Sequence, residues 1–173
     1  VARFLHWAIF LAIGLQFVIG YAMDRFDDLL EGPVDRWFGG EEENLLLVHA
    51  SLGVLILVLA TWRAIWRRFA GLPPWAPTLS EGERRLAHAT EITLYFLMFL
   101  IPLTGLGLLF ASGEEWEIWG REWESPIELA DDDVLLAGHI ATHVLFLVAF
   151  AAHLGLVLKH QFVDRDRLLR RML

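Results

Sequence analysis

The sequence predicts an all-α fold: four helices that cross a membrane as an up-down-up-down bundle. Three observations carry that expectation. Hydrophobic residues fill 56 % of the 173 positions, above the usual share for a soluble domain. The apolar residues fall into four runs of about 20, the length at which a helix spans a bilayer. Stretches such as LGVLILVLA (52–60) and LYFLMFLIPLTGLGLLF (94–110) are apolar all round, whereas a soluble bundle keeps a polar face on each helix.

The first run extends from Phe4 to Met23, the second from Leu45 to Trp66, the third from Leu86 to Ala111 and the fourth from Val134 to Leu158. Together they read as one domain over 1–173. Turn chemistry separates them at Gly32-Pro33, Gly39-Gly40, Gly71-Leu72-Pro73-Pro74 and Ser112-Gly113. Pro102 interrupts the third run, which in a membrane helix gives a kink more often than an end. There is no internal repeat and no low-complexity tract. The opening VARFLHW lacks a starting Met and reads as the start of a trimmed chain or of a piece of a longer one. The first run is too long for the apolar core of a signal peptide.

Charge sets an expected orientation. Basic residues gather at Arg3, at Arg63, Arg67, Arg68, Arg84 and Arg85, and at Lys159, Arg165, Arg167, Arg170 and Arg171. The first and third connectors hold only Arg25, Arg36 and Arg121. Positive residues stay inside, so both termini and the middle connector are expected in the cytoplasm. The two outward connectors are acidic, with Glu41 to Glu43, Asp131 to Asp133, Glu114, Glu115, Glu117, Glu122 and Glu124. A net charge of −8 argues against nucleic acid as a partner. Cysteine is absent, which excludes disulfides, thiolate metal sites and thiol nucleophiles.

The chemistry is carried by histidine. AGHIATHVLFLVAFAAHLGLVLKH (137–160) is a helix-length apolar run with four of them, and ionisable groups at membrane depth are costly and usually functional. His6 falls just inside the cytoplasmic end of the first helix, and His49 about a turn inside the outer end of the second. His139 lies a turn inside the outer end of the fourth helix and His153 near its cytoplasmic end. Fourteen residues separate His139 from His153, so they differ by only about 40° around the helix and about 21 Å along it. That predicts two pairs across the bundle core: His49 with His139 on the outer side and His6 with His153 on the inner side. Two opposed imidazoles make a bis-histidine axial site for haem, and helical bundles build cofactor sites in this way. Without cysteine, a CxxCH covalent attachment is excluded, so such haems are non-covalent. A bis-histidine iron has no open position, which points to electron transfer rather than oxygen binding.

Other residues are secondary candidates. Gly20, Gly53, Gly138, Ala152 and Gly155 lie near these histidines, and a porphyrin plane needs small residues where it meets a helix; small residues also simply let membrane helices pack. Arg63, fourteen residues after His49, is expected to pair with a propionate of the inner haem or to snorkel to headgroups. His143, one turn past His139, could replace it as ligand; its angle to His153 of about 80° suits a shared core face less well. His160 is expected at the membrane interface. Glu91 follows His88 by one turn, and the two could exchange protons with a quinone; alternatively Glu91 pairs with Arg84 or Arg85. Zinc wants about four ligands at one point, whereas these histidines fall at two depths. A di-iron site needs Glu-x-x-His inside the helices, and no span contains it. A structural membrane protein whose histidines pair among themselves is the non-redox alternative.

The sequence resembles the bacterial cytochrome b561 family, four-helix di-haem membrane cytochromes. The resemblance covers nearly the whole chain and rests on RFLHW (3–7), HASLG (49–53) with Arg63 and Arg67 following, LAH (86–88), LYFLMFLIPLTG (94–105), GH (138–139) and AAHLGLVLKHQFVDRDRLLRRML (151–173). It implies a bacterial inner-membrane protein with two haem b groups, held by His6, His49, His139 and His153. It also implies electron exchange between a periplasmic redox partner and a membrane quinone such as ubiquinone. His88, Glu91 and His160 are the nearest polar candidates for the quinone. Related cytochrome b subunits anchor nickel-iron hydrogenases and formate dehydrogenases, a second expectation. One branch of the family resembles a superoxide oxidase that passes electrons from superoxide to ubiquinone, a third. The acidic outer connectors depart from that branch, because an anionic substrate is steered by a positive mouth.

Overall fold

The computed structural model describes residues 1–25, 42–71, 77–111, 113, 115–118, 121–127, 129–166 and 168–171. The turns expected at Gly32-Pro33 and Gly39-Gly40, together with Leu72 to Pro74, Ser112, Arg36, Glu41, Glu114 and Arg167, lie outside the described residues. Four long helices dominate: α1 (Ala2–Arg25), α2 (Glu42–Ala70), α3 (Glu81–Ala111) and α4 (Asp132–Leu158). All four are long and apolar enough to cross a membrane. Their outward faces carry large apolar side chains such as Phe4, Leu11, Val18, Val144 and Val148. In water such a surface would aggregate; against lipid it is the expected exterior.

Each helix runs antiparallel to its neighbours. Gln16 near the far end of α1 reaches the His49 carbonyl at the start of α2, with Nε2 donating at 2.9 Å. Arg63 near the end of α2 donates to the Ala2 carbonyl at the start of α1, also at 2.9 Å. The α3–α4 pair is tied by Thr104 to His139 at one end and by Glu83 to Lys159 at the other. Aromatic pairs close α1 on α4: Phe10 stacks on Phe150 at 6.1 Å and Phe17 packs tilted against Phe146 at 5.8 Å. The central core between those ends is apolar, built from Ile9, Ala60, Leu97, Met98, Phe146 and Ala149.

The helix ends differ from expectation in instructive ways. α3 begins five residues before Leu86, because Ser80 and Glu83 form a capping box. The Ser80 N–H and hydroxyl donate to Glu83 Oε2 at 2.8 and 2.7 Å, and the Glu83 N–H donates back to Ser80 Oγ at 3.3 Å. Pro102 sits within α3 without ending it. Gly71, just past α2, has φ +71°, the left-handed conformation that glycine adopts without strain. Asp131 caps α4 by accepting from the Asp133 N–H at 3.0 Å.

Two elements were not expected. The third connector holds an antiparallel hairpin, β1 (Glu115–Ile118) and β2 (Arg121–Glu124), with Glu115 opposite Glu124 and Glu117 opposite Glu122. After α4 the chain makes a π-helical turn, Lys159–Val163, and a 3-10 turn, Leu168–Arg171. Between them Arg165 takes a positive φ of 54°, turning the C-terminal segment back toward the start of α3.

Two facing imidazole pairs as a candidate cofactor site

The bundle holds two histidine pairs at opposite ends of its core. The His6 and His153 ring centroids are 6.4 Å apart, with planes at 62°. The His49 and His139 centroids are 6.3 Å apart, with planes at 82°. In each pair the rings belong to different helices and neither stacks on the other. A metal–imidazole bond is about 2.0 Å long and the ring nitrogen lies about 1.1 Å from the centroid, so two imidazoles directly opposed across one metal ion would have centroids about 6.2 Å apart. Both separations match that requirement. The Phe146 region fills the interval between the pairs, so the two sites are distinct.

A haem also needs space and bare backbone, and the outer pair has both. A cavity of about 320 Å³ opens between the four helices and is lined by His49, His139, His143, Gly20, Gly53 and Gly105 among others. A Cβ built on Gly20 would stand 2.9 Å from His49 Cε1, and one on Gly105 would stand 3.1 Å from His139 Cε1. A larger residue at Gly20 would make the His49 ring shift, and one at Gly105 would press the His139 ring by a few tenths of an ångström. Within the same lining, His49 Nδ1 and Gln16 Oε1 are buried with no hydrogen-bond partner among the described residues. Buried polar atoms are normally satisfied, so the His49 ring keeps a nitrogen that the protein does not use. The residues therefore fit an axially ligated haem at this pair. Among the described glycines, Gly138 and Gly155 meet nothing within 4 Å and lie exposed on α4. They flank the histidines in sequence without a described neighbour against them. Gly105 by contrast lies against the His139 ring, a register that becomes visible only once α3 is packed on α4.

His139 is 7 % exposed and held firmly. Its Nδ1 lies 2.8 Å from Thr104 Oγ1, and its carbonyl accepts from Thr142 Oγ1 at 2.6 Å. His143 lies edge-on to His139 at 4.4 Å and against Phe17 at 5.3 Å. It lines the cavity from the side, and it is the His139 ring that faces His49 at the spacing given above.

At the inner pair, Trp7 packs edge-on to His6 at 5.4 Å. Arg63 and Arg67 both lie over the face of Tyr95, at 5.9 and 5.1 Å from its centroid. The Ala2 carbonyl that Arg63 holds is one turn before His6, which puts the guanidinium beside the inner pair. Glu91 is ion-paired with Arg67. That corrects the expected partners Arg84 and Arg85, which instead reach the Leu79 carbonyl and Glu81. The physical reason is rotation: Glu91 faces α2 across the bundle, whereas His88, one turn earlier on α3, is exposed.

His160 is buried to 2 % rather than open to the interface. Its Nδ1 is 2.8 Å from Asp166 Oδ2 and 3.1 Å from Asp164 Oδ2, and Thr78 Oγ1 donates to the same Asp166 oxygen at 2.7 Å. Lys159 bridges Glu83 and Asp164, at 2.6 Å to each. The turned-back C-terminal segment covers the ring, a fold that helical periodicity gave no reason to expect.

The fold is a membrane-length four-helix bundle that carries two facing imidazole pairs in its core. Comparison with known proteins gives the family. The model of prokaryotic cytochrome b561 matches residues 1–173, and the chain belongs to that family. It is 28 % identical over 172 residues to cytochrome b561 homolog 2 of Escherichia coli, covering 97 % of this chain and 86 % of that protein. It is 24 % identical over 173 residues to the probable superoxide oxidase CybB of Yersinia pestis, covering 98 % and 91 %. It is 28 % identical over 169 residues to cytochrome b562 of Cereibacter sphaeroides, covering 98 % and 90 %. Family membership carries membrane electron transfer and haem b binding with it.

Proposed function

We propose that this cytochrome carries electrons across a bacterial inner membrane through two haem b groups, between a periplasmic redox partner and a membrane quinone. The observation that carries the reading is the pair of imidazole separations, 6.4 and 6.3 Å, at two depths of one apolar core. Haem supplies a one-electron iron couple when bound. The chain supplies the rest. His6 with His153 and His49 with His139 would hold the two haems through their ring nitrogens. Gly20 and Gly105 clear the approach to two of the rings. Ile9, Leu97, Met98 and Phe146 keep water out of the centre, which holds the path to electrons rather than protons.

Arg63 is the proposed counter-charge for an inner propionate, placed there by α2. At the same end, which the basic connector and termini assign to the cytoplasm, the Arg67–Glu91 pair and the His160–Asp166 pair are the proposed exchange points for the two protons a reduced quinone takes up. The acidic outer connectors suit a positively charged protein partner. The test is transmembrane reduction in proteoliposomes. A reductant confined to the outside should reduce quinone in the membrane only when the cytochrome is present and haem-loaded. Equal reduction in cytochrome-free vesicles would overturn the reading.

The similarity to the probable superoxide oxidase supports a second reading, in which superoxide is the electron source: two superoxide anions, one quinone and two protons give two dioxygen and one quinol. Here the acidic outer connectors predict a slow reaction that accelerates with ionic strength as repulsion is screened. A rate that falls with salt would show attraction instead, and no quinone-dependent consumption of superoxide would remove this second reading.

A further inference from the structure

Thr104 on α3 stands between a backbone carbonyl and the His139 ring. Its hydroxyl oxygen is 2.8 Å from the Ile101 carbonyl oxygen and 2.8 Å from His139 Nδ1. A hydroxyl owns one proton and two lone pairs. With the proton on the Ile101 carbonyl, an acceptor that can donate nothing, only lone pairs remain for His139. Nδ1 must then carry the ring proton and donate it. A neutral imidazole has one N–H and one lone pair, so the lone pair falls on Nε2. Gly105 gives the ring room beside α3, because a Cβ there would stand 3.1 Å from His139 Cε1 and press on it.

We propose that Thr104 is a positioning residue: it holds His139 in the Nδ1–H tautomer and leaves Nε2 as the nitrogen offered to the outer haem. The inference rests on the proposed haem reading and deepens it. Metal-bound histidines commonly donate their second N–H to an oxygen, which fixes the ring and raises the basicity of the ligating nitrogen. Thr104 does this through a relay, N–H to hydroxyl to carbonyl, in which each bond polarises the next. The two outer imidazoles are thereby unequal. His49 Nδ1 has no hydrogen-bond partner among the described residues, so the hydroxyl acts on one side of the site alone.

The test compares wild type with Thr104→Val and Thr104→Ser, purified with haem in detergent. Valine keeps the side-chain shape and removes the acceptor; serine keeps the hydroxyl. Three properties are read: haem retained at the outer site on dilution, the midpoint potential of each haem by redox titration, and the low-spin ferric electron paramagnetic resonance signal. Thr104→Val should weaken outer haem retention by about 10–100-fold. It should also shift the outer midpoint upward, since a less basic ligand stabilises ferric iron less, and alter one of the two ferric signals. The inner haem should not change, and Thr104→Ser should match wild type. A valine variant identical to wild type in all three, a serine variant as impaired as valine, or equal shifts at both haems would overturn the proposal. Wild-type protein with no haem at the outer pair would instead overturn the function reading beneath it, so the two failures are told apart by the wild-type sample.

Discussion

Gly20 lies against the His49 ring so closely that a Cβ on residue 20 would stand 2.9 Å from His49 Cε1. The contact is between side chain and helix backbone, on neighbouring antiparallel helices, so an added methyl makes the His49 ring shift. Gly20→Ala should displace His49 and lower outer haem occupancy by more than half, while inner haem stays bound. Gly138→Ala, on the same end of the bundle but facing open space, should leave both haems in place. Haem per chain by pyridine haemochrome assay reads both. Full occupancy in Gly20→Ala would mean that the ring has room the structure does not show.

His143 and His139 are adjacent turns of α4, and only one faces His49 at the metal-bridging distance. His143→Ala should therefore retain two haems per chain, whereas His139→Ala should retain one. Loss of a haem from His143→Ala, with none from His139→Ala, would exchange their roles.

The Arg67–Glu91 pair joins α2 to α3 beside the inner histidines with both side chains partly covered, 26 % and 32 % exposed. Such a pair sits between exposed bridges, about 0.2–1 kcal/mol, and buried ones, where losing one partner costs about 3–5 kcal/mol. Removing one partner is expected to cost about 1–3 kcal/mol on that scale. A cycle of Arg67→Leu, Glu91→Leu and the double variant, followed by thermal unfolding in detergent, should show the double variant less destabilised than the sum of the singles. Strict additivity would mean the two groups do not interact.

Ser80 closes the capping box at the start of α3. Ser80→Ala should cost about 1 kcal/mol and lower the unfolding midpoint without changing the spectrum of either haem. A spectral change would show that this end of α3 communicates with the inner pair more directly than its hydrogen bonds suggest.

Much of this molecule is legible in its sequence because membrane helices obey two simple rules. Apolar length marks the spans, and fourteen-residue spacing puts His139 and His153 on one face at two depths. Basic residues likewise mark Arg63 and Arg67 at one end. What stays hidden depends on how one helix is rotated against another. Gly105 and Thr104 matter only because α3 presents them to His139, and nothing in LYFLMFLIPLTG distinguishes them from ordinary small residues. The same ambiguity holds for Gly138 and Gly155, which flank histidines in sequence without a described neighbour against them. Glu91 finds Arg67 across the bundle rather than a neighbour on its own helix. Two local signals were available. SEGE at 80–83 has the spacing of a capping box, and EWEI and REWE flank a Trp-Gly step with strand-like alternation. The burial of His160 had no such signal, because it depends on a π turn and a positive φ at Arg165.

The central claim is two bis-histidine haem sites, one per facing pair, and a haem count tests it most directly. Wild type, His49→Ala and His153→Ala would be purified in detergent and compared by haem per chain and by dithionite-reduced spectra. The account predicts about two non-covalent b haems in wild type, with each variant losing a different one. No haem in wild type, or one haem indifferent to both substitutions, would contradict it.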